Sequence, residues 1–103
     1  MGDNAGRFNQ GSAAVAVGRQ AGSNNQGASA VAVGHAAGKT SQGINAVAVG
    51  YTTGETSQGN YTTAMGLSAG RYNQAESAVA VGNNAGNTSQ GAYAVAMGYQ
   101  AGK

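Results

Sequence analysis

Two valines separated by one alanine and followed by a glycine recur along the chain at a constant interval of sixteen positions. The first copy is Ala14-Val15-Ala16-Val17-Gly18, and no insertion or deletion separates it from the later ones. Those copies occupy residues 30–34, 46–50, 62–66, 78–82 and 94–98, the fourth copy overall being the weakest because it reads Thr-Thr-Ala-Met-Gly. A fixed period of this length is typical of repeat architectures, in which each repeat forms one unit stacked on the next.

The repeated segment has the character of a β-strand. Branched residues at alternate positions suit a pleated surface. Val15 and Val17 point to one face and Ala14 and Ala16 to the other, so both faces are apolar and both are expected to be buried. A helix is disfavoured, because each of the three or four glycines per repeat would cost about 1 kcal/mol relative to alanine. The sequence therefore predicts an all-β fold, a β-solenoid in which one sixteen-residue repeat forms one coil.

The repeat also predicts the role of each position in a coil. The alternate apolar positions of the strand form the expected repeat core: Val15, Val17, Val31, Val33, Val47, Val49, Met65, Val79, Val81, Val95 and Met97. The glycines after the strand are expected at corners that require positive φ: Gly18, Gly34, Gly50, Gly66, Gly82 and Gly98. If the valine face fills the coil, the alanine face is free to pack against other chains, and the sequence leaves open which face turns inward.

A glutamine returns at the same place in every repeat. The column comprises Gln10, Gln26, Gln42, Gln58, Gln74 and Gln90. Stacked coils would lie ~4.8 Å apart, which gives a rod about 30 Å long for six and a half coils. At that spacing the amides are expected to form a ladder whose members satisfy each other along the axis. The alternative is a polar side that faces solvent.

Composition supports one domain over residues 1–103. Charged residues make up 8% of the chain, 19 residues are glycine, and proline and cysteine are absent. Such a composition suggests disorder, but the strict period overrides that interpretation. We expect no membrane insertion by this segment, because it has neither a signal-peptide pattern nor an apolar run of membrane-spanning length. The net charge is only +2 and the cations are scattered, so nucleic-acid binding is not expected either.

Residues capable of catalysis are sparse. The acids Asp3, Glu55 and Glu76 fall at three different places of the repeat, and His35 is the single histidine. We therefore expect no enzymatic activity, no catalytic or cofactor-binding residues, no cofactor and no metal site. Aromatic side chains are the favoured contacts of a binding surface. The candidates for such surface contacts are Tyr51, Tyr61, Tyr93 and Tyr99.

Self-association is expected from the small core. A fully buried valine contributes about 1.5–3 kcal/mol, whereas ordering each residue costs about 1–2 kcal/mol of backbone entropy, so a lone stack of coils is marginal. Packing the second apolar face against identical strands of other chains would relieve this. A homo-oligomer is expected, and a trimer fits three flat faces around one axis.

The unit S-A-V-A-V-G-x-x-A-G at Ser77–Gly86, which varies through the other repeats, resembles the head repeats of trimeric autotransporter adhesins of the YadA-like type. The resemblance covers essentially the whole chain. It implies a left-handed parallel β-roll in which three chains wrap around one axis, and an extracellular location at a cell surface. The family's commonest repeat is shorter and has Ile where this chain has Val17 and its equivalents. The longer unit is also similar to repeats in the tail fibres of phages and large viruses.

Two function classes follow from this reasoning. The first is a non-enzymatic segment of a trimeric surface fibre that attaches to host matrix proteins, glycans or cells. The second is a phage or viral tail-fibre segment on a virion surface, or a subunit of a self-stacking extracellular filament. Both expect a solenoid without capping repeats, since the chain begins and ends midway through a repeat.

Overall fold

The computed structural model describes residues 2–102, which fold into a β-solenoid built from two parallel sheets. The strands of the first sheet are β1 Val15–Val17, β3 Val31–Val33, β5 Val47–Val49, β7 Thr63–Met65, β9 Val79–Val81 and β10 Val95–Met97. The strands of the second sheet are β2 Asn24–Gln26, β4 Thr40–Gln42, β6 Thr56–Gln58 and β8 Tyr72–Gln74. Within each sheet the strands follow chain order, β1-β3-β5-β7-β9-β10 in the first and β2-β4-β6-β8 in the second.

The strand register confirms that one sixteen-residue repeat forms one coil. Ala16 pairs with Ala32 in the first sheet, and Gln26 pairs with Gln42 in the second. Every pairing is parallel and has this offset, so each column of the sequence becomes a ladder in the structure. The longest extent of the molecule is 31 Å, as expected for coils stacked at the spacing of hydrogen-bonded strands.

Two tight turns in each coil connect the sheets. In one coil the Ala21 amide donates to the Gly18 carbonyl at 3.1 Å, and the Ala30 amide donates to the Gly27 carbonyl at 3.2 Å. The third residue of each turn is left-handed, with φ of 61° at Gln20 and 56° at Ser29. Such turns reverse the chain without insertions, which keeps all coils the same length.

The corner glycines occupy the conformation predicted for them. Gly34 has φ of 125°, where L side chains are rarely found. A Cβ on Gly34 would lie 2.5 Å from the Gly50 carbonyl oxygen of the next coil. The stack therefore requires glycine at this corner for two independent reasons, backbone conformation and close approach of successive coils.

The assignment of the valines and methionines to the core is wrong. None of the eleven predicted core residues is buried, and Val15, Met65 and Met97 are 43%, 42% and 64% exposed. The middle residue of each three-residue strand, which lies between the two outward positions, is buried throughout the first sheet: Ala16, Ala32, Ala48, Ala64, Ala80 and Ala96. The alanine face turns inward because the interior between the two sheets is too narrow for larger side chains alongside the buried glutamines.

Two threonines replace alanines in this interior, on the segments between β5 and β7. Thr53 and Thr62 are completely buried. The Thr53 hydroxyl donates to the Gly66 carbonyl, and the Thr62 hydroxyl donates to the Gly59 carbonyl at 3.0 Å. Each threonine thus fits a position otherwise filled by alanine because its hydroxyl finds a backbone acceptor.

Candidate functional site

The outer surface of the first sheet is a continuous apolar face. We call it the valine face and define it by the two outward positions of each strand, at 15 and 17, 31 and 33, 47 and 49, 63 and 65, 79 and 81, and 95 and 97. Eleven of these twelve positions carry Val or Met, and the twelfth is Thr63. The in-register pairing stacks them into two straight columns. Large apolar side chains of this protein are therefore concentrated outside the coil.

The turns on either side of the strand form two edges of the valine face. The leading edge, in the turn that precedes the strand, carries three exposed apolar residues: Ile44, Tyr61 and Tyr93. The trailing edge, in the turn that follows the strand, also carries three: Tyr51, Leu67 and Tyr99. Their exposed fractions range from 44% for Ile44 to 73% for Tyr93 and Tyr99. On the trailing edge the His35 and Tyr51 rings stack with centroids 5.0 Å apart.

The outer surface of the second sheet has the opposite character. The middle residue of each of its strands points outward and is Asn or Ser, at Asn25, Ser41, Ser57 and Asn73. The Asn9 side-chain amide donates to the Asn25 side-chain oxygen at 2.8 Å, which links two coils along this surface. Two cation–π pairs lie on the same side, with the guanidinium carbon 4.7 Å from the ring centroid in Arg7–Phe8 and 4.8 Å in Arg71–Tyr72.

The glutamine column lies inside the coil, with the exception of the exposed Gln10. Gln26, Gln42, Gln58, Gln74 and Gln90 are buried. The interpretation of the column as a solvent-facing side is therefore wrong for these five residues. The glycine that directly follows the turn after each first-sheet strand makes room for them, because a Cβ on Gly38 would lie 2.8 Å from the Gln42 amide carbon.

These glutamines connect the two sheets more than they connect to each other. The Gln42 amide nitrogen donates to the Val31 carbonyl at 2.7 Å and to the Ala46 carbonyl at 3.4 Å. Direct amide–amide bonds occur at two steps, from Gln58 to Gln74 at 3.4 Å and from Gln74 to Gln90 at 3.1 Å. The predicted ladder is thus present as a stack, but backbone carbonyls within the first-sheet strands and just before them supply most of its acceptors.

The charged groups do not converge. Arg71 donates to the Glu55 carboxylate at 2.8 Å between adjacent coils, and this hydrogen bond raises the pKa of Arg71. Glu76 accepts a long hydrogen bond of 3.5 Å from the Tyr93 hydroxyl. Over residues 2–102 the structure contains no cluster of three or more His, Asp or Glu side chains suited to a metal ion. The same range contains no cavity and no helix that could span a membrane.

The tyrosines predicted as surface contacts are all exposed, and the structure places all four on the edges of the valine face. Tyr61 and Tyr93 share the leading edge, whereas Tyr51 and Tyr99 share the trailing edge. Ile44 and Leu67 complete these edges and were not singled out from the sequence. Their place in the repeat could have identified them from the sequence, because Leu67 falls in the same column as Tyr51 and Ile44 lies one residue before the column of Tyr61.

Neither the family models, nor the curated proteins, nor the solved structures contain a match to this chain.

Proposed function

We propose that this chain is a non-enzymatic structural and adhesive segment of a surface fibre, assembled as a homotrimer of left-handed β-rolls whose valine faces line the common axis. The observation that carries the proposal is the valine face itself. It is apolar over all six strands of the first sheet, yet the interior of the coil is filled by alanine and glutamine. A contiguous exposed apolar surface on a water-soluble fold favours an interaction site.

The shape of the valine face favours identical copies as the partner. Its two columns are straight and repeat at the coil spacing, so a second copy offers the same period and the same chemistry at every level. Three flat faces close around one axis and leave no valine column exposed. The valine face, and not the alanine face, is therefore the surface that packs between chains in this proposal, because the alanines are already buried inside each coil.

The adhesive part of the proposal rests on the resemblance to trimeric autotransporter heads. With the valine face at the axis, the second sheet is the surface left for a ligand. Its Asn, Ser and Thr side chains and the Arg7–Phe8 and Arg71–Tyr72 pairs offer hydrogen bonds and aromatic rings to a host matrix protein or a glycan. An extracellular location, at a cell or virion surface, accompanies this role.

The solution mass by light scattering, measured over a range of concentrations, tests the assembly. The native chain is expected at a constant mass of three chains. Val47→Ser combined with Val49→Ser is expected to give single chains with an unchanged β circular-dichroism signal, because the polar pair interrupts both valine columns. The matched control is Thr40→Ser with Thr56→Ser, which removes two branched residues from the second sheet and should remain trimeric.

Two outcomes would contradict the trimer. A native chain that stays monomeric at every concentration would remove the basis of the proposal. Mass that grows with concentration, with long uniform threads in electron micrographs, would favour the self-stacking filament.

Adhesion is tested separately, by binding of the native trimer to immobilised matrix proteins and glycans. Phe8→Asn with Tyr72→Thr is expected to weaken the binding without changing the mass. The replacements already occur in the same column at Asn24 and Thr40, so the backbone tolerates them. Unchanged binding by this variant would exclude the second-sheet aromatic pairs as the contact.

A further inference from the structure

The two edges of the valine face change character together in five of the six coils; the level of β3 departs from this match, with Ala28 and Ser29 on the leading edge and the ring of His35 on the trailing edge. Three levels carry large apolar residues on both edges: Ile44 with Tyr51 around β5, Tyr61 with Leu67 around β7, and Tyr93 with Tyr99 around β10. Two other levels carry small, polar or charged residues on both edges: Ser12 and Ala13 with Arg19 around β1, and Glu76 and Ser77 with Asn83 around β9. Matching of this kind is not required by one chain alone, because the strand lies between the two edges.

Area is a second reason to assign the edges to an interface. Six strands spaced ~4.8 Å apart and three residues wide cover a strip about 24 Å by 7–10 Å, which is on the order of 200 Å² in projection. A stable protein–protein interface buries about 800 Å² on each partner. The accessible surface of side chains exceeds their projection, but a roughly fourfold difference leaves the valine columns alone too small, so the edge residues are needed to complete the buried surface.

We propose that neighbouring copies also meet edge to edge, with the leading edge of one copy packed on the trailing edge of the next at the same coil level. This inference rests on the proposed homotrimer and deepens it. Rotation about an axis parallel to the solenoid brings opposite edges of neighbouring faces together at equal height. Tyr61 then contacts Leu67 of the next copy, and Tyr93 contacts Tyr99.

The edge residues also fix the register between copies. A slip of one coil would place the Glu76 carboxylate against Leu67 or against Tyr99, depending on its direction. Burying that carboxylate against an apolar side chain is unfavourable, because the long hydrogen bond from Tyr93 is the one contact to it that the structure provides over residues 2–102. The valine columns repeat almost identically at each level and cannot prevent such a slip, so the variable edges select the in-register assembly.

Cysteine cross-linking tests the edge contact, since the native chain has no cysteine of its own. Tyr61→Cys and Leu67→Cys are made in separate chains, which are refolded together and treated with a mild oxidant or a short bismaleimide. Covalent pairs are expected in the mixture and not in either variant alone. Separate chains are used so that every cross-link joins two copies.

The outcomes separate this inference from the proposed function. A mixture that has trimeric mass but forms no covalent pairs overturns the edge contact while leaving the trimer intact. Pairs formed by Tyr61→Cys alone would show that like edges meet, and this also overturns it. A native chain without any oligomer removes the edge contact and the proposed function together.

A substitution series gives an independent measurement. Tyr61→Asn and Leu67→Asn each introduce a residue that their column already holds, at Asn45 and Asn83. Each is expected to raise the protein concentration at which half of the trimer dissociates, the dissociation midpoint, at least about tenfold, as for a contact at the centre of an interface. Phe8→Asn is the control, because it replaces an exposed aromatic residue of the second sheet, and it should change the midpoint less than about twofold. Equal effects of all three variants would contradict the assignment.

Discussion

The two sheets of the solenoid share one interior and differ in what they place on either side of it. The first sheet turns alanine inward and valine outward, whereas the second turns glutamine inward and Asn or Ser outward. Small side chains of one sheet thus face long polar side chains of the other. The long amide spans the narrow gap and reaches the opposite backbone, as Gln42 reaches the Val31 carbonyl.

This difference shows that a sixteen-residue coil uses one set of residues to stabilise the single chain and another to form an exposed apolar surface. Hydrogen bonds and close packing of small residues hold one chain together, because backbone bonds run between every pair of neighbouring coils. The larger apolar side chains remain outside, and most of them lie on the first sheet and the edges beside it. An ordinary globular domain keeps such residues in its core, and their outward position here favours a protein whose hydrophobic burial is completed between chains.

The inward and outward faces of one strand should respond very differently to a larger side chain. Ala48 is completely buried, and a Cβ on Gly54 would lie only 3.2 Å from the Ala48 Cβ. Ala48→Leu is therefore expected to lower the free energy of unfolding by about 3 kcal/mol or more through overpacking. Val47→Leu, on the outward face, should change it by less than about 1 kcal/mol. Denaturant unfolding at one fixed protein concentration measures both, and equal losses would contradict the inward orientation of alanine.

The glutamine column offers a comparison within one set of identical residues. Gln42→Ala removes a buried amide that fills the interior, together with its hydrogen bonds to the Val31 and Ala46 carbonyls, so a loss of about 2–4 kcal/mol is expected. Gln10→Ala, at the exposed member of the column, should cost less than about 0.5 kcal/mol. Urea midpoints of the two variants give the comparison. If both variants were neutral, the buried amides would not connect the sheets.

The ion pair on the second sheet should contribute least. Arg71 is 34% exposed, so solvent screens its attraction to Glu55, and Glu55→Gln is expected to cost about 0.5 kcal/mol or less in low salt and less in high salt. The pKa of Arg71 is raised in the folded state. Its contribution therefore persists below the ordinary arginine pKa and is lost only as pH rises through the raised value. Thermal unfolding with Glu76→Gln as the control checks the effect. A loss above about 1 kcal/mol, the upper end for solvent-exposed pairs, would show a tighter pair than the geometry implies.

The period of the sequence was sufficient to predict the coil length, the parallel register and the corner glycines. Strict repetition carries this information, because residues that recur in phase must stack. The inward face was harder to predict, since Val15 and Ala16 are both apolar and alternation gives no direction. A signal was present nonetheless: the column of Ala16 is alanine in all six strands, whereas the valine columns admit Thr63 and Met65. A column that tolerates no larger residue indicates a narrow interior.

The edges of the valine face could not be recognised from single residues. Tyr51 and Tyr61 lie ten positions apart in the chain, and only the folded coil shows that they lie on opposite edges of one face. The sequence-based prediction of the glutamine role was likewise incomplete. An amide ladder and a set of hydrogen bonds between the two sheets require the same residue at the same spacing, so the sequence does not distinguish them. Handedness and the number of chains depend on geometry that the column pattern does not encode.

The unbroken coil length has a consequence for how such a chain can change over generations. Duplicating or deleting sixteen codons, starting at any point in the repeat, inserts or removes one whole coil and leaves every other ladder in phase. Each event alters the rod by ~4.8 Å and leaves the glycine corners and glutamine stack of the remaining coils as they were. Length is therefore adjustable in uniform steps, while insertion or loss of a single codon would throw every later column out of phase.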